Sequence, residues 1–225
     1  MGESDEEEAP QHGCATGRAA CRSPLGPAPQ LRRLARGRAS PRPRQLEREI
    51  VRPTVEGLRR EGLPYRGFLY FGLMLTPSGP QVIEYNCRFG DPECQAVMPL
   101  VKGDLAGFCH AGAKGELRGD LLSFDEGWSV CVVLASAGYP ETSRSGDRIS
   151  GLDVADGCRV YHAGTRLNTE GQWETAGGRV LAVVCGAETR EKAVKAAHLA
   201  ADGIRFDGLQ RRRDVGILHF GSENS

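Results

Sequence analysis

Two periodicities run through this chain. Between Glu47 and Gly62 the apolar residues Ile50, Val51, Val55 and Leu58 recur at helical spacing. Pro53 fits only near a helix start or a kink, and Gly62 stops the element. Phe68 to Leu75 is apolar on both faces, which predicts a strand in the middle of a covered sheet. The next run begins apolar at Val82 and Ile83 and then turns polar. The two strands are expected over 67–76 and 80–88, joined by Thr76-Pro77-Ser78-Gly79-Pro80. That linker is hairpin chemistry, because Pro presets one turn dihedral and Gly permits a positive one. Helical patterns follow from Glu93 to about Lys102 and from Asp104 to about Lys114, broken at Gly103.

A second unit begins near Asp125. Trp128 to Ser136, Arg159 to Thr165 and Arg179 to Cys185 are strand patterns, with Gly138-Tyr139-Pro140 as a turn and Gly177-Gly178 entering the last strand. Thr189 to Gly203 is a helix: Thr189 caps it, Glu191 lies in its first turn, and Ala193, Val194, Ala197, Ala200 and Ala201 give the apolar stripe. Strands, one long helix and many turns predict an α+β module.

Residues 1–45 break the pattern. Five acids fall in the first eight residues, and eight arginines then spread through a Pro/Gly/Ala/Ser-rich stretch. Val, Ile, aromatics and Lys are absent, and three leucines cannot build a core. We read the segment as disordered or non-native rather than as an arginine-rich nucleic-acid tail.

Composition narrows the setting. The 225 residues are 40% hydrophobic, enough for a core, and their zero formal net charge gives no argument for a nucleic-acid partner. No apolar run approaches the roughly 18 residues of a membrane span. The acidic N-terminus lacks a signal-peptide core. The eight cysteines form no C-x-x-C pair, so zinc is not expected, and several lie in apolar strand patterns. The expectation is reduced thiols in a cytoplasmic protein.

The chemistry concentrates between Glu84 and Glu93. In a strand, side chains two apart share a face, so Val82, Glu84, Asn86 and Arg88 are expected on one side and Ile83, Tyr85 and Cys87 on the other. Such a row is either a solvated strand face or a place for a hard cation and the phosphates it carries. Gly90-Asp91-Pro92 turns the chain, and Glu93 starts a helix. Asp91 is either a turn residue or a ligand, and Glu93 either serves the first-turn dipole or binds substrate. His162 reads as a satisfied strand histidine or a site residue.

Taken together, Gly67-Phe68-Leu69-Tyr70-Phe71-Gly72-Leu73-Met74, the run Val82 to Glu93, Gly138-Tyr139-Pro140, His162-Ala163-Gly164-Thr165 and Gly177-Gly178-Arg179-Val180-Leu181 closely resemble the phosphoribosylamine–glycine ligase family. These are the glycinamide ribonucleotide synthetases of purine biosynthesis, ATP-grasp enzymes. The resemblance runs in order from about Glu47 to about Phe220 and covers roughly the C-terminal half of the family's catalytic unit. Its most specific part is Arg88-Phe89-Gly90-Asp91-Pro92-Glu93. E-x-N-x-R alone is shared with biotin carboxylase, which continues differently after the arginine.

The resemblance implies the C-terminal part of an ATP-grasp domain over 46–122 and a small α/β, barrel-like C-terminal domain over 123–221. It implies ligation of glycine to 5-phosphoribosylamine, with ATP converted to ADP and phosphate through an acyl phosphate. By position Glu84 and Asn86 match the family's metal and nucleotide ligands, for Mg2+ or Mn2+, since oxygen ligands accept both. Arg88 is implied as the catalytic group that neutralises phosphoryl or carboxylate charge. It is implied in substrate binding too, with Asp91 and Glu93 holding the substrate amines.

Several family motifs have no match here. They are the N-terminal G-x-G-G-R-E-H-like motif, the glycine-rich K-x-D-G-x-x-x-G-K-G lid, and the G-P-N-T-G-G-M-G run expected before the helix at residue 47. The sequence therefore predicts an incomplete, inactive ligase fragment with an uncovered sheet edge. The alternative is a non-catalytic truncated isoform that binds a partner or the full-length enzyme. Oligomeric state is not legible. Pro10-Gln11-His12-Gly13 shifted by one base reads as Pro-Asn-Thr, so we take residues 1–45 as largely an out-of-frame or mis-spliced reading. Sequencing the genomic DNA upstream of residue 46 is expected to reveal P-N-T-G-G coding in another frame; its absence there defeats the idea.

Overall fold

The computed structural model describes residues 43–76, 78–118 and 121–217. The expectation for the N-terminal segment therefore lies outside the described residues up to residue 42.

The first helical stretch runs through α1 (Pro43–Leu46), a π turn (Glu47–Val51) and α2 (Arg52–Arg60). The pattern anticipated one helix, and Pro53 explains the interruption. It has no N–H for an i−4 carbonyl, so the ladder slips and Arg52 N–H reaches back to Glu47 O instead. The Thr54 hydroxyl donates to Ile50 O at 2.7 Å, occupying a carbonyl beside the slip.

The hairpin follows as β1 (Tyr70–Thr76) and β2 (Gly79–Asn86), antiparallel, with Thr76 opposite Gly79 across a two-residue turn. It departs from simple alternation. Gly72 faces Glu84 but Leu73 faces Val82, so Ile83 is the extra residue of a β-bulge. Val82 and Glu84 therefore do not belong to one regular face. Nor does β1 sit inside a covered sheet: β1–β2 is a two-stranded sheet, and Val82, Ile83 and Tyr85 are exposed. No third strand pairs with either edge among the described residues.

Helix α3 (Glu93–Val97) passes into a 3-10 turn (Met98–Leu100) and stops there. Val101 and Lys102, expected to continue it, lie instead in strand β3 (Val101–Gly103), which ends at the expected break Gly103 and pairs with β4 (Leu122–Phe124). Helix α4 (Leu105–Lys114) is capped by Asp104, whose carboxylate accepts the Gly107 N–H.

The second unit is built on β5 (Trp128–Ala135), β6 (Cys158–His162) and β9 (Arg179–Ala187), in the antiparallel order β5-β9-β6. Short strands β7 (Thr165–Leu167) and β8 (Trp173–Thr175) form a separate pair, and the latter had no sequence signal. The ladders do not close into a barrel among the described residues. Only isolated bridges, such as Ser150 with Arg205 and Ala135 with Gln210, link their neighbourhoods.

Helix α5 (Arg190–Gly203), capped by Thr189 as its sequence predicts, lays Ala193, Ala197 and Ala201 on one face of this sheet. Val130, Val132, Leu134, Leu181, Val183 and Cys185 meet it from β5 and β9. The opposite face carries Cys131, Ala182 and Val184, which cluster with Ala96 of α3. Strand β9 is thus buried on both faces, as its unbroken apolar run requires. Each fully buried Val or Leu there contributes roughly 1.5–3 kcal/mol, more than a surface ion pair at about 0–1 kcal/mol. This packing also fixes α3, and with it the Glu84–Glu93 segment, against the second unit.

The expectation of reduced thiols does not hold at one pair. Cys158 and Cys185 stand opposite each other in the β6–β9 register, with Cα atoms 4.1 Å apart, and form a disulfide. Their spacing in the sequence carries no hint of this, because only the strand register brings them together. Cys87, Cys94, Cys109 and Cys131 remain thiols. With a separation of 27 residues, the loop-entropy relation assigns the bond about 3.5 kcal/mol. A thiol reductant is therefore expected to lower the calorimetric melting temperature of the second unit by several degrees. An unchanged melt after verified reduction would contradict this.

Candidate functional site

The site is assembled on the β1–β2 hairpin and the turn that leads from it into α3. Gly72 on β1 faces Glu84 on β2, and a Cβ at Gly72 would lie only 2.7 Å from Glu84 Cγ. The missing side chain is what lets Glu84 lie across the neighbouring strand. Asn86 Nδ2 donates to Glu84 Oε1 at 2.9 Å, so the two implied metal ligands are locked side by side. A carboxylate and an amide oxygen so paired suit a hard cation such as Mg2+ or Mn2+, and supply two of the roughly six oxygens it takes.

Arg88 lies beyond the end of β2, and its Nη1 donates to the carbonyl of Phe89 at 2.7 Å. It is exposed and stands apart from Glu84 and Asn86 in hydrogen bonding. The following loop is pinned by Phe89, whose ring lies 3.9 Å from that of Phe68, while Phe68 also faces Phe108 at 6.2 Å.

Gly90 is a required small residue. A Cβ there would fall 2.4 Å from Glu93 Oε2 and 2.8 Å from Tyr70 Cε2. Glu93 is buried at the start of α3 and accepts a hydrogen bond from the Tyr70 hydroxyl at 3.1 Å. Tyr70 in turn faces Asn86 across the hairpin. Tyr70 thereby joins the two halves of the site, a role the sequence did not reveal.

Asp91 is held from two directions. Arg179 Nη2 donates to its Oδ2 at 2.8 Å and Gln95 Nε2 to its Oδ1 at 3.2 Å, while Arg179 Nη1 reaches its backbone carbonyl at 3.4 Å. Arg179 is the first residue of β9 and was not among the residues singled out for chemistry. The Gly177-Gly178 pair before it was the available signal. Next to Asp91, burial pushes the Cys94 thiol up and the Asp91 charge adds to that.

His162 lies outside this assembly. It is exposed, its Nδ1 is 2.9 Å from Thr165 Oγ1, and its ring stacks 4.2 Å from Trp173. Among the described residues no group of three or more His, Cys, Asp or Glu side chains converges as a metal cluster would. Two clefts lie elsewhere, one of about 490 Å3 near Arg205 and Arg211 and one of about 300 Å3 near Trp128. The hairpin that carries Glu84 and Asn86 is a two-stranded sheet on which Val82, Ile83 and Tyr85 are exposed.

The raised Cys94 pKa has a direct consequence for alkylation. Less thiolate at pH 8 means that Cys94 is expected to react with iodoacetamide after the exposed Cys87 and Cys109. Asp91→Asn removes the charge that adds to the shift, so Cys94 should then label faster. Peptide mass spectrometry reads both, and unchanged Cys94 labelling in the variant would refute the link.

The family model described as "Phosphoribosylglycinamide synthetase, ATP-grasp (A) domain" matches residues 36–94, and "Phosphoribosylglycinamide synthetase, C domain" matches residues 129–218. A phosphoribosylamine–glycine ligase of Caulobacter vibrioides is 46% identical over 175 residues, which is 76% of this chain and 41% of that protein. That of Yersinia pestis is 46% identical over 172 residues, 75% of this chain and 40% of its own length. The crystal structure of the Thermotoga maritima phosphoribosylamine–glycine ligase superposes with a TM-score of 0.61 at 35% identity, covering 72% of this chain and 40% of that one. The biotin carboxylase subunit of a pyruvate carboxylase shares the fold alone, with a TM-score of 0.51 at 16% identity over 79% of this chain and 39% of that one. The chain spans about two fifths of the length of the curated relatives it matches. It belongs to the phosphoribosylglycinamide synthetase family, carrying part of the ATP-grasp domain followed by the C domain.

Proposed function

We propose that this chain supplies one face of an ATP-dependent carbon–nitrogen ligase that joins glycine to 5-phosphoribosylamine. The observation that carries the reading is the hydrogen-bonded Glu84–Asn86 pair, in the segment matched by the ATP-grasp model and followed at once by Arg88, Asp91 and Glu93. In this reading the glycine carboxylate attacks the terminal phosphoryl group of ATP, giving an acyl phosphate and ADP. The amine of phosphoribosylamine then attacks the acyl carbon and phosphate leaves.

Glu84 and Asn86 would hold Mg2+ or Mn2+, and such a cation would supply charge to draw density from the ATP phosphates. Arg88 swings from the Phe89 carbonyl to neutralise charge on the transferring phosphoryl group or the carboxylate. Asp91 and Glu93 present carboxylates to the substrate amines and so orient them. The proposal includes a cytoplasmic location and small-molecule substrates only. It also includes a barrel-like curl of the C-terminal unit, supported by the isolated bridges of Ser150 with Arg205 and Ala135 with Gln210.

A second reading is a non-catalytic chain that binds a partner or the full-length enzyme. The exposure of Val82, Ile83 and Tyr85 on the hairpin favours it. A larger species on size exclusion without nucleotide binding would support that reading over the first.

The purified 225-residue chain is expected to release no ADP with ATP-Mg, glycine and phosphoribosylamine; measurable turnover would overturn the one-face reading. Adding in trans the portion of the Caulobacter vibrioides relative that precedes the matched region is expected to restore ADP release. Glu84→Ala should then cut it on the order of 100-fold, as loss of a charge-stabilising group does. Full activity of the variant would refute the metal role of Glu84.

A further inference from the structure

Three short runs that stand out in the sequence meet at one corner of the second unit. They are Gly138-Tyr139-Pro140, the segment around Gly164, and Gly177-Gly178-Arg179. A Cβ on Gly178 would lie 2.5 Å from Tyr139 Cδ2, so the tyrosine ring packs directly on that glycine. A Cβ on Gly164 would lie 2.8 Å from Arg179 O and 2.8 Å from Gly177 Cα. The backbone bonds follow the same convergence. Ser136 N–H donates to Gly178 O at 2.8 Å, Gly164 N–H to Arg179 O at 2.8 Å, and Ala176 N–H to Gly164 O at 2.7 Å. The main chain of 176–179 is therefore clamped at three places, from Ser136–Tyr139 on one side and Gly164 on the other.

What this clamp holds is a guanidinium aimed out of its own unit. Arg179 leaves the sheet and meets Asp91, 88 residues away, at the turn between Arg88 and Glu93. The contact has two points, one on the carboxylate and one on the backbone carbonyl. Gln95 takes the other carboxylate oxygen from the first turn of α3. Each oxygen of Asp91 thus has a donor from a different element, and the plane of the carboxylate is set. The carboxylate is still 42% exposed, so the set plane faces solvent, where a substrate amine can reach it.

We propose that Arg179 is a positioning residue of the ligase site. Acting from the C-terminal unit through Asp91, it fixes the turn that presents Asp91 and Glu93 to substrate amines. The inference rests on the ligase reading of that turn. It also assigns a purpose to the glycine clamp, which otherwise supports an arginine that adds nothing to its own core. A plain surface pair between flexible side chains would not come from a backbone held at three places.

Amide hydrogen exchange on the full 225-residue chain tests this. Arg179→Met keeps an unbranched, flexible stem and removes the guanidinium and its charge. Amides in 88–95 are expected to exchange about three- to fivefold faster in it, the scale of losing one exposed pair, while β5, β9 and α5 keep native rates. Arg179→Lys restores a charge without the fork and should stay within about twofold of native. Equal effects of Met and Lys, no change in 88–95, or loosening of β9 by the same factor would each overturn the proposal. Should the Met variant fail to fold, Asp91→Asn weakens the same contact from the exposed turn and must give the same rise. These rates do not depend on turnover, so failure of the ligase reading in the ADP assay leaves them a separate result.

Discussion

Burial of β9 on both faces is the constraint on which the rest of this structure depends. On one side α5 presses alanines against Leu181, Val183 and Cys185; on the other, Ala182 and Val184 receive Ala96 of α3. A strand of the second unit thereby becomes the floor for the first helix after the site turn. The two family domains are joined by a shared apolar contact as well as by the chain between them. Glu93 and Asp91 flank the cis Asp91–Pro92 peptide bond at the head of that helix, so their position is inherited from core packing. Surface pairs such as Arg166 with Glu174 decorate this arrangement and do not determine it.

Much of this was legible in the sequence. Helix α5 announced itself through Thr189 and the alanine stripe, and β5 and β9 through unbroken apolar runs. Glu84, Asn86 and the Gly90-Asp91-Pro92 turn were found because polar residues interrupted a strand pattern. What was missed has a common physical cause: each missed feature depends on a partner distant in sequence. The Ile83 bulge is a property of the β1–β2 register. The Cys158–Cys185 bond is a property of the β6–β9 register. Tyr70 looks like an apolar strand residue until Glu93 is placed beside its hydroxyl. Arg179 looks like the polar end of a strand until Asp91 arrives from 88 residues away. Val101 and Lys102 followed a helix and took its period, but pairing with β4 won.

The open hairpin and the buried sheet represent two regimes in one chain. The second unit has its own core, with Val132, Leu134, Val180 and Val183 fully covered. The hairpin has an aromatic contact, Phe71 with Tyr85 at 5.3 Å, and a link to the first helical stretch between the hydroxyls of Thr54 and Tyr85 at 3.1 Å. On it the hydrogen-bonded Glu84–Asn86 pair lies beside the exposed Val82, Ile83 and Tyr85. Candidate site residues and exposed apolar side chains thus share one hairpin, and an exposed apolar patch of this kind marks a surface for contact.

The bulge at Ile83 gives that hairpin a mechanical boundary. On one side of it, Tyr70 to Gly72 pair with Glu84 to Asn86; on the other, Leu73 to Thr76 pair with Gly79 to Val82. A bulge concentrates twist and bending at one residue. The Glu84–Asn86 pair lies wholly on the Tyr70 side of that break, so its register is set independently of the Thr76–Gly79 end of the hairpin.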